Sequence, residues 1–333
     1  MTGIAAMPGT PPALDVVIVN WNGGALLRAC LASLAAAEDG LGDALPLRVV
    51  VVDNASSDGS LDALPRLRHG PGTGPDAGPE VIANPDNRGF GRACNAGAAR
   101  GRAPAILFLN PDARVTAESL AGAYAALTAD AGTGIVGAQL LDEAGAVQRS
   151  CARRPSAGSL VGQALLLDRA RLVPTHFMTE WDHAEDRAVD QVMGAFLMIR
   201  RSLFADLGGF DERFFVYYED VDLCARAQDA GFAVRHLAGV RVRHEGQGTT
   251  RAAKAHRLAC FLESQIRYAA KHHGRATALA LTAAAFGAQV PLRLAQALAR
   301  GSSAEAGEVL RGAGLLARAL PGLLRAIGTS PAP

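Results

Sequence analysis

The stretch from Gln191 to Thr249 reads QVMGAFLMIRRSLFADLGGFDERFFVYYEDVDLCARAQDAGFAVRHLAGVRVRHEGQGT. Five carboxylates lie between Asp211 and Asp222: Asp211, Glu212, Glu219, Asp220 and Asp222. They sit among Phe210, Phe214, Phe215, Val216, Tyr217 and Tyr218. An apolar stretch punctuated by acids points to a packed site rather than a solvated tail. Desolvation there raises a carboxylate pKa and fits the group for proton transfer. The alternating VRVRH that follows sets His244 at a strand end. A plainer origin for acids at this spacing is a helix N-terminus, where they complement the dipole. That reading covers Asp222.

Working outward, DVVIVN (Asp15–Asn20) and LRVVVV (Leu47–Val52) are continuous β-branched or apolar runs. Between them Leu27, Cys30, Leu31 and Leu34 fall at helical spacing, with Gly40 as the expected end. Strand, helix and strand with fully apolar strands indicate a parallel sheet. Asp53 to Ser60, DNASSDGS, reads as a polar turn leading into a short helix. Residues 69–79, HGPGTGPDAGP, read as a surface excursion. Val81–Ala83 is a weak third strand, and Asn87-Arg88-Gly89-Phe90-Gly91 opens a helix through Ala99. AILFL (Ala105–Leu109) is a fourth strand ending in Asn110-Pro111-Asp112, and Thr116 is placed to cap the next helix. Ile135–Leu141 and Ala146–Gln148 read as a hairpin around Glu143-Ala144-Gly145.

Residues 150–190 are irregular and carry Arg153, Arg154, Arg169, Arg171, His176, Trp181 and His183. Their position between two motif blocks suits an acceptor-side loop, and equally a surface insert. Lys254–His273 reads as an amphipathic helix closed by Gly274, and Ala276–Val290 as an Ala/Leu helix before Pro291. Ser302 and Glu305 have capping-box spacing for a last helix ending near Pro321.

The chain has 333 residues and a net charge of +1, so no global attraction to nucleic acid is implied. Its five cysteines are scattered, with no CxxC spacing, which fits a reducing, cytoplasmic setting better than a disulfide or zinc framework. The first residues, MTGIAAMPGTPPA, have no basic segment followed by an apolar core and read as a disordered lead-in. In an open parallel sheet, ligands bind at the carboxyl ends of the strands. Asp53 and Asp112 each follow such an end, so one crevice can hold both.

GGFDERFF, then YYEDVDLCARAQDAGF, then a strand ending in His244, resemble the catalytic domain of inverting family 2 glycosyltransferases. The bacterial rhamnosyltransferase-like branch is nearest in appearance, and the resemblance runs from Leu14 to Thr249 with several motifs in order. It implies an α/β protein of GT-A fold, a Rossmann-like mostly parallel sheet flanked by helices, with a C-terminal helical extension. The implied divisions are a lead-in over 1–13, a GT-A domain over 14–250 with halves 14–113 and 114–250, and helices over 251–333.

The resemblance also implies roles. Val19, Asn20, Asn22 and Asp53 correspond to the base and ribose pocket, and Asp58 to a structural turn residue. Asn87, Arg88 and Gly89 correspond to the segment closing over the nucleotide. Asn110-Pro111-Asp112 stands at the family's DXD motif with Asn in the first place, leaving Asp112 as the direct ligand of Mg²⁺ or Mn²⁺. His244 resembles the distal metal ligand of some relatives, and imidazole favours Mn²⁺ over Mg²⁺. Asp220 is the implied base, with Glu219 holding the acceptor or the helix start. Met193-Gly194-Ala195 resembles the donor-sugar loop. The implied partners are a nucleotide-diphosphate sugar, dTDP-rhamnose or a UDP-sugar, and a cell-envelope saccharide acceptor, free or lipid-linked.

Two rivals compete with this reading. A dinucleotide oxidoreductase needs GxGxxG directly after the first strand, where this chain has Asn20-Trp21-Asn22-Gly23-Gly24. A non-catalytic sugar-binding or scaffold protein on the same fold has no need of Asp112, Asp220 and His244 together. The tail adds a further expectation. From Arg275 onward six arginines face two acids, a net of +4. Arginines among Leu/Ala runs suit helices lying on the inner leaflet of the cytoplasmic membrane. The soluble alternative is a helical subdomain that packs on the catalytic domain or forms a homodimer.

Overall fold

The structure, a computed structural model, describes residues 12–67, 78–165, 167, 176, 178, 180–246 and 253–329. The first eleven residues, most of the Gly/Pro excursion, Arg169, Arg171 and Thr249 lie outside them.

In chain order the elements begin with β1 (Leu14–Asn20), α1 (Gly24–Leu41), β2 (Leu47–Asp53), β3 (Glu80–Ala83), α2 (Phe90–Ala98) and β4 (Ala105–Leu109). Then come β5 (Ala113–Arg114), α3 (Ala117–Ala129), β6 (Thr133–Leu141), β7 (Cys151–Ala152), α4 (Ala157–Ala164), β8 (Arg187–Ala188) and β9 (Gln191–Val192). β10 (Phe196–Arg200), α5 (Arg201–Asp206), α6 (Glu219–Asp229) and β11 (Ala233–His244) complete the sheet region. Four helices follow: α7 (Lys254–His272), α8 (Gly274–Ala284), α9 (Val290–Ala299) and α10 (Ser303–Thr329).

The main sheet has the order β3-β2-β1-β4-β10-β6-β11-β5, with β8 also on β11. β3, β2, β1 and β4 run parallel, β10 is antiparallel to both its neighbours, and β11 is parallel to β6. Asn20 pairs with Asp53 across β1 and β2, so the carboxyl ends are level at one edge. Side chains alternate between two buried layers, as a strand covered on both faces requires. Val16 and Ile18 join Leu27, Leu31, Leu34 and Leu120 on one face. Val17 and Val19 join Cys94, Phe108 and Leu223 on the other. Each such side chain contributes about 1.5–3 kcal/mol by burial.

Several boundaries differ from expectation. α1 passes Gly40 and ends at Gly42, whose φ of 55° suits a helix stop. The segment after Ser60 forms turns rather than a helix. The expected hairpin reduces to one bridge, Leu141 to Val147, because β6 is a central strand already paired to β10 and β11. Thr116 caps α3 as expected, in a reciprocal pair with Ser119.

Pro291 and Pro321, expected to end helices, both lie within continuing helix. Pro291 follows a π-helical turn at Ala285–Gln289, where the ladder has already slipped, so its missing N–H breaks no regular turn. Pro321 lies on the exposed face of α10, and Leu316, Leu323 and Ile327 are buried on either side of it. α7, α8 and α10 share one apolar cluster with Phe214, Tyr218 and Val221, so the extension packs on the acid-rich segment itself.

Candidate active site

At the level edge of the sheet, Asn20 is fully buried. Its amide donates to Asp53 Oδ1 at 2.7 Å, Ser60 Oγ at 2.8 Å and Ser56 Oγ at 3.0 Å. Asp53 also accepts from the Ser56 hydroxyl and backbone N–H. Asn22, at φ 52°, accepts from Ser57 N–H and donates its own N–H to Ser56 Oγ. Val19 is buried beside them. The Asn20 amide therefore braces the turn rather than reaching outward. Asp58 accepts from the Ser60 N–H, and hydrogen bonds from Ser60 hold its carboxyl below the usual range against the opposing effect of burial.

The segment before α2 is built on a glycine. Gly89 has φ 87°, and a Cβ there would lie 2.5 Å from the Phe215 carbonyl oxygen. The next residue, Phe90, donates its N–H to that same oxygen at 2.7 Å. Only glycine permits both the conformation and the approach. Asn87 Oδ1 accepts from Gly89 N–H, and Asn54 donates to the Gly89 carbonyl while accepting from Asn84. Arg88 lies 3.6 Å from Asp86. A cavity of about 290 Å³ lined by Asn84, Arg88, Arg92, Asn95 and Glu212 opens beside this segment. Asp112 and Asp220 do not line it.

The turn after β4 and the end of β11 meet through β5. His244 pairs with Ala113 in antiparallel register, and Glu245 N–H donates to the Asp112 carbonyl. The register leaves His244 Nε2 3.4 Å from Asp112 Oδ1, both side chains almost fully buried. Gln148 fixes the ring. Its amide nitrogen donates to the His244 carbonyl at 2.7 Å, which turns its oxygen towards His244 Nδ1 at 2.9 Å. Nδ1 therefore carries a proton and donates. In neutral imidazole this leaves the Nε2 lone pair facing the carboxylate. A lone pair and a carboxylate oxygen at that separation offer two donors to a shared cation, and among the described residues no third His, Cys, Asp or Glu joins them.

Asp220 is the second residue of α6, and its carboxylate is held by main chain. Oδ2 accepts from Gly194 N–H at 2.9 Å and Oδ1 from Val221 N–H at 2.8 Å. Burial raises its pKa in spite of those bonds. Glu219 is raised further, by burial and then by the charge of Asp220, and its Oε2 has no partner. The Ala195 carbonyl accepts from Asn110 N–H at 3.0 Å. Gly194 and Ala195 thus tie Asp220 to the turn that carries Asp112.

The approach to α6 is strained. Tyr217 and Tyr218 have φ of 70° and 66°, a conformation that costs a non-glycine residue of order 1–3 kcal/mol. α7 supports it. Ser264 donates to the Val216 carbonyl at 2.8 Å, and Tyr218 is buried against Phe261 and Tyr268. One turn into α6, fully buried Asp222 receives Lys271 at 2.6 Å, Arg226 at 2.7 Å and His272 at 2.8 Å. Hydrogen bonding from His272, then the charges of Arg226 and Lys271, outweigh burial and depress its pKa. The expectation of a dipole-complementing acid is thus only part of its role. None of Gln148, Ser264, Lys271 or His272 stood out in the sequence.

This sheet, with acids at its strand ends and a buried and a half-buried acid side by side at the start of α6, defines a GT-A glycosyltransferase. The profile described as glycosyl transferase family 2 matches residues 15–208. The N-acetylglucosaminyl-diphospho-decaprenol L-rhamnosyltransferase of Mycobacterium tuberculosis is 30% identical over 274 residues, covering 78% of this chain and 85% of the relative. Rhamnosyltransferase WbbL of Escherichia coli is 33% identical over 86 residues, 26% of this chain and 33% of that protein. The solved mannosyltransferase PcManGT from Pyrobaculum calidifontis, in complex with GDP-Man and Mn²⁺, shares the fold. Its TM-score is 0.51 at 20% identity, over 98% of this chain and 88% of that one. The chain belongs to glycosyl transferase family 2 and is a glycosyltransferase.

Proposed function

We propose that this enzyme is an inverting, metal-dependent transferase that moves rhamnose or a similar sugar from dTDP-rhamnose or a UDP-sugar to a saccharide acceptor. The acceptor is lipid-linked and belongs to cell-envelope or exopolysaccharide assembly, and the enzyme works at the cytoplasmic face. The names of the two relatives support the sugar, and the first supports a prenyl-diphosphate-linked acceptor. The observation that carries the reading is the half-buried Asp220 carboxylate, aimed by two main-chain donors and joined through Gly194-Ala195 to the Asp112 turn.

Asp220 takes the proton of the acceptor hydroxyl. That oxygen bonds to the anomeric carbon as the bond to the diphosphate breaks, and one displacement inverts the configuration. A positioned base contributes about 10²–10⁴-fold. Glu219, its pKa raised by burial and by the charge of Asp220, holds the acceptor or the helix start. Asp112 and His244 hold a divalent cation, Mn²⁺ or Mg²⁺, which when bound neutralises the diphosphate leaving group. Asp53, Asn22 and the backbone of Val19 and Asn20 form the nucleotide pocket. Asn87, Arg88 and Gly89 close it, Asn110 lines its floor, and Gly194 and Ala195 face the donor sugar.

The test is a panel of nucleotide sugars with Mn²⁺ and Mg²⁺, scored for donor hydrolysis and for transfer to N-acetylglucosaminyl-diphospho-prenol. Metal-dependent turnover of one deoxyhexose donor is expected. Binding without turnover of any donor would instead mark a sugar-nucleotide-binding protein.

A further inference from the structure

Four of the eight large apolar side chains exposed among the described residues lie on the C-terminal helices: Leu279, Leu298, Leu310 and Leu324. From α8 through the π-helical turn into α9, exposed uncharged positions recur every three or four residues: Ala276, Leu279, Ala283, Gly287, Pro291, Ala295 and Leu298. This is one uncharged stripe along a continuous helical rod. Arg275, Arg293 and Arg300 are exposed on the same rod, and Arg293 and Arg300, seven residues apart on α9, lie about two helical turns from each other on one flank. α10 repeats the pattern. Arg311, Arg318 and Arg325 are exposed at seven-residue spacing, beside Leu310, Ala317 and Leu324 at the same spacing. The segment's two acids, Glu305 and Glu308, are ion-paired to Arg300 and Arg311.

The rod from Gly274 to Ala299 is long and apolar enough to cross a membrane by composition, with a mean hydropathy of 1.3. Its other face is already committed. Ala278, Leu281 and Ala284 are buried in the cluster that holds Phe214 and Tyr218. Leaving that cluster would uncover the support of Asp220. A helix with one face anchored in protein and the other apolar with an arginine border lies in an interface instead of spanning it.

We infer that α8, α9 and α10 dock the enzyme on an anionic lipid bilayer, the apolar stripe among the acyl chains and the six arginines against lipid phosphates. A second copy of this chain fits the face poorly. A twofold contact sets a patch against itself, and here arginine would meet arginine. The inference deepens the proposed reading, because docking confines enzyme and lipid-linked acceptor to one plane. Its test needs neither donor nor acceptor, so the two can fail separately.

The experiment is flotation of the full chain with vesicles of phosphatidylcholine alone or mixed with phosphatidylglycerol. The protein should float with the anionic vesicles and be released by salt. The triple variant Arg311→Gln, Arg318→Gln, Arg325→Gln should lose affinity roughly a hundredfold, at about fivefold per arginine. Leu279→Gln with Leu298→Gln should weaken binding without changing its salt dependence. An unchanged thermal melt in each variant shows that the fold survives. Absence of flotation in the wild type, or equal flotation of the arginine variant, would overturn the inference. So would a dimer in sedimentation that these variants dissolve, because the face would then belong to a second copy.

Discussion

The backbone N–H of Gly194 donates to Oδ2 of Asp220 at 2.9 Å. One residue on, the Ala195 carbonyl takes the Asn110 N–H. Two main-chain bonds thus link the proposed base to the turn bearing the proposed metal ligand, with no side chain but Asp220's involved. Backbone donors cannot rotate away, so the carboxylate keeps one orientation as a transition state requires.

Asp220→Asn keeps the shape and removes the proton acceptor. Turnover should fall at least about a hundredfold while donor affinity barely changes. Steady-state kinetics beside nucleotide calorimetry measures both. Equal losses in the two would make Asp220 a structural residue. A larger loss from Glu219→Gln than from Asp220→Asn would reverse the assignment within the pair.

The raised pKa values carry a sign. A base must be deprotonated, so kcat/KM should fall as pH drops through the raised pKa of Asp220, above the ordinary carboxylate value of about 4. Glu219 binds a proton more tightly folded than unfolded. Its stability contribution is therefore greatest below the unfolded pKa and is lost as pH rises to the folded one. Glu219→Gln removes that loss. Its melting temperature should exceed the wild type's at pH 7–8 by about 2 °C or more, with the gain vanishing near pH 4. A gain that persists at pH 4 would have another cause.

Gln148 gives the metal proposal a sharper test than its ligands do. Gln148→Met keeps the volume but releases the Nδ1 proton of His244 from its acceptor. Loss of such a supporting partner costs about 10–100-fold in metal affinity. Mn²⁺ titration followed by calorimetry with nucleoside diphosphate should register that drop, and Asp112→Ala should abolish metal-stimulated binding altogether. Unaltered Mn²⁺ affinity in Gln148→Met would separate His244 from the metal.

The layers of the sheet were legible because each strand is a short apolar run bounded by turn residues, and the acids after β2 and β4 follow from where strands stop. The long helices were legible from periodicity, but their ends were not. Pro291 and Pro321 read as stops, yet a slipped turn before one and buried leucines around the other carry the helix through. Gln148 and Lys271 were invisible for a different reason. Each acts on a residue many positions away, 96 for Gln148 and His244, and only the folded chain sets such pairs together. Glu219 and Asp220 could be found because acids in an apolar run are unusual, whereas a glutamine near a turn is not.

The last prediction concerns α7, which lies beyond the matched family segment of 15–208 yet holds the acids. Lys271 bridges Asp211 at 2.7 Å and Asp222 at 2.6 Å. Both carboxyls are depressed, Asp211 against burial by hydrogen bonds from Arg213 and then Lys271, Asp222 against burial by His272 and then its cations. Depressed carboxylates stabilise the fold above their unfolded pKa, and that stability is lost as pH falls through the folded value. Lys271→Met should therefore cost stability at pH 7 and raise the midpoint of acid unfolding. Partial loosening of the Tyr217-Tyr218 turn should also misorient Asp220, lowering kcat severalfold while the donor KM stays near its wild-type value. Lys271→Arg, which keeps the charge, should recover part of both. Ser264→Ala removes the bond to the Val216 carbonyl without touching any charge. It should lower kcat with no change in the acid midpoint. Should both variants lose stability but keep full kcat per folded molecule, α7 is a structural brace alone, and Gly194, Val221 and Gln191 set the aim of Asp220 without it.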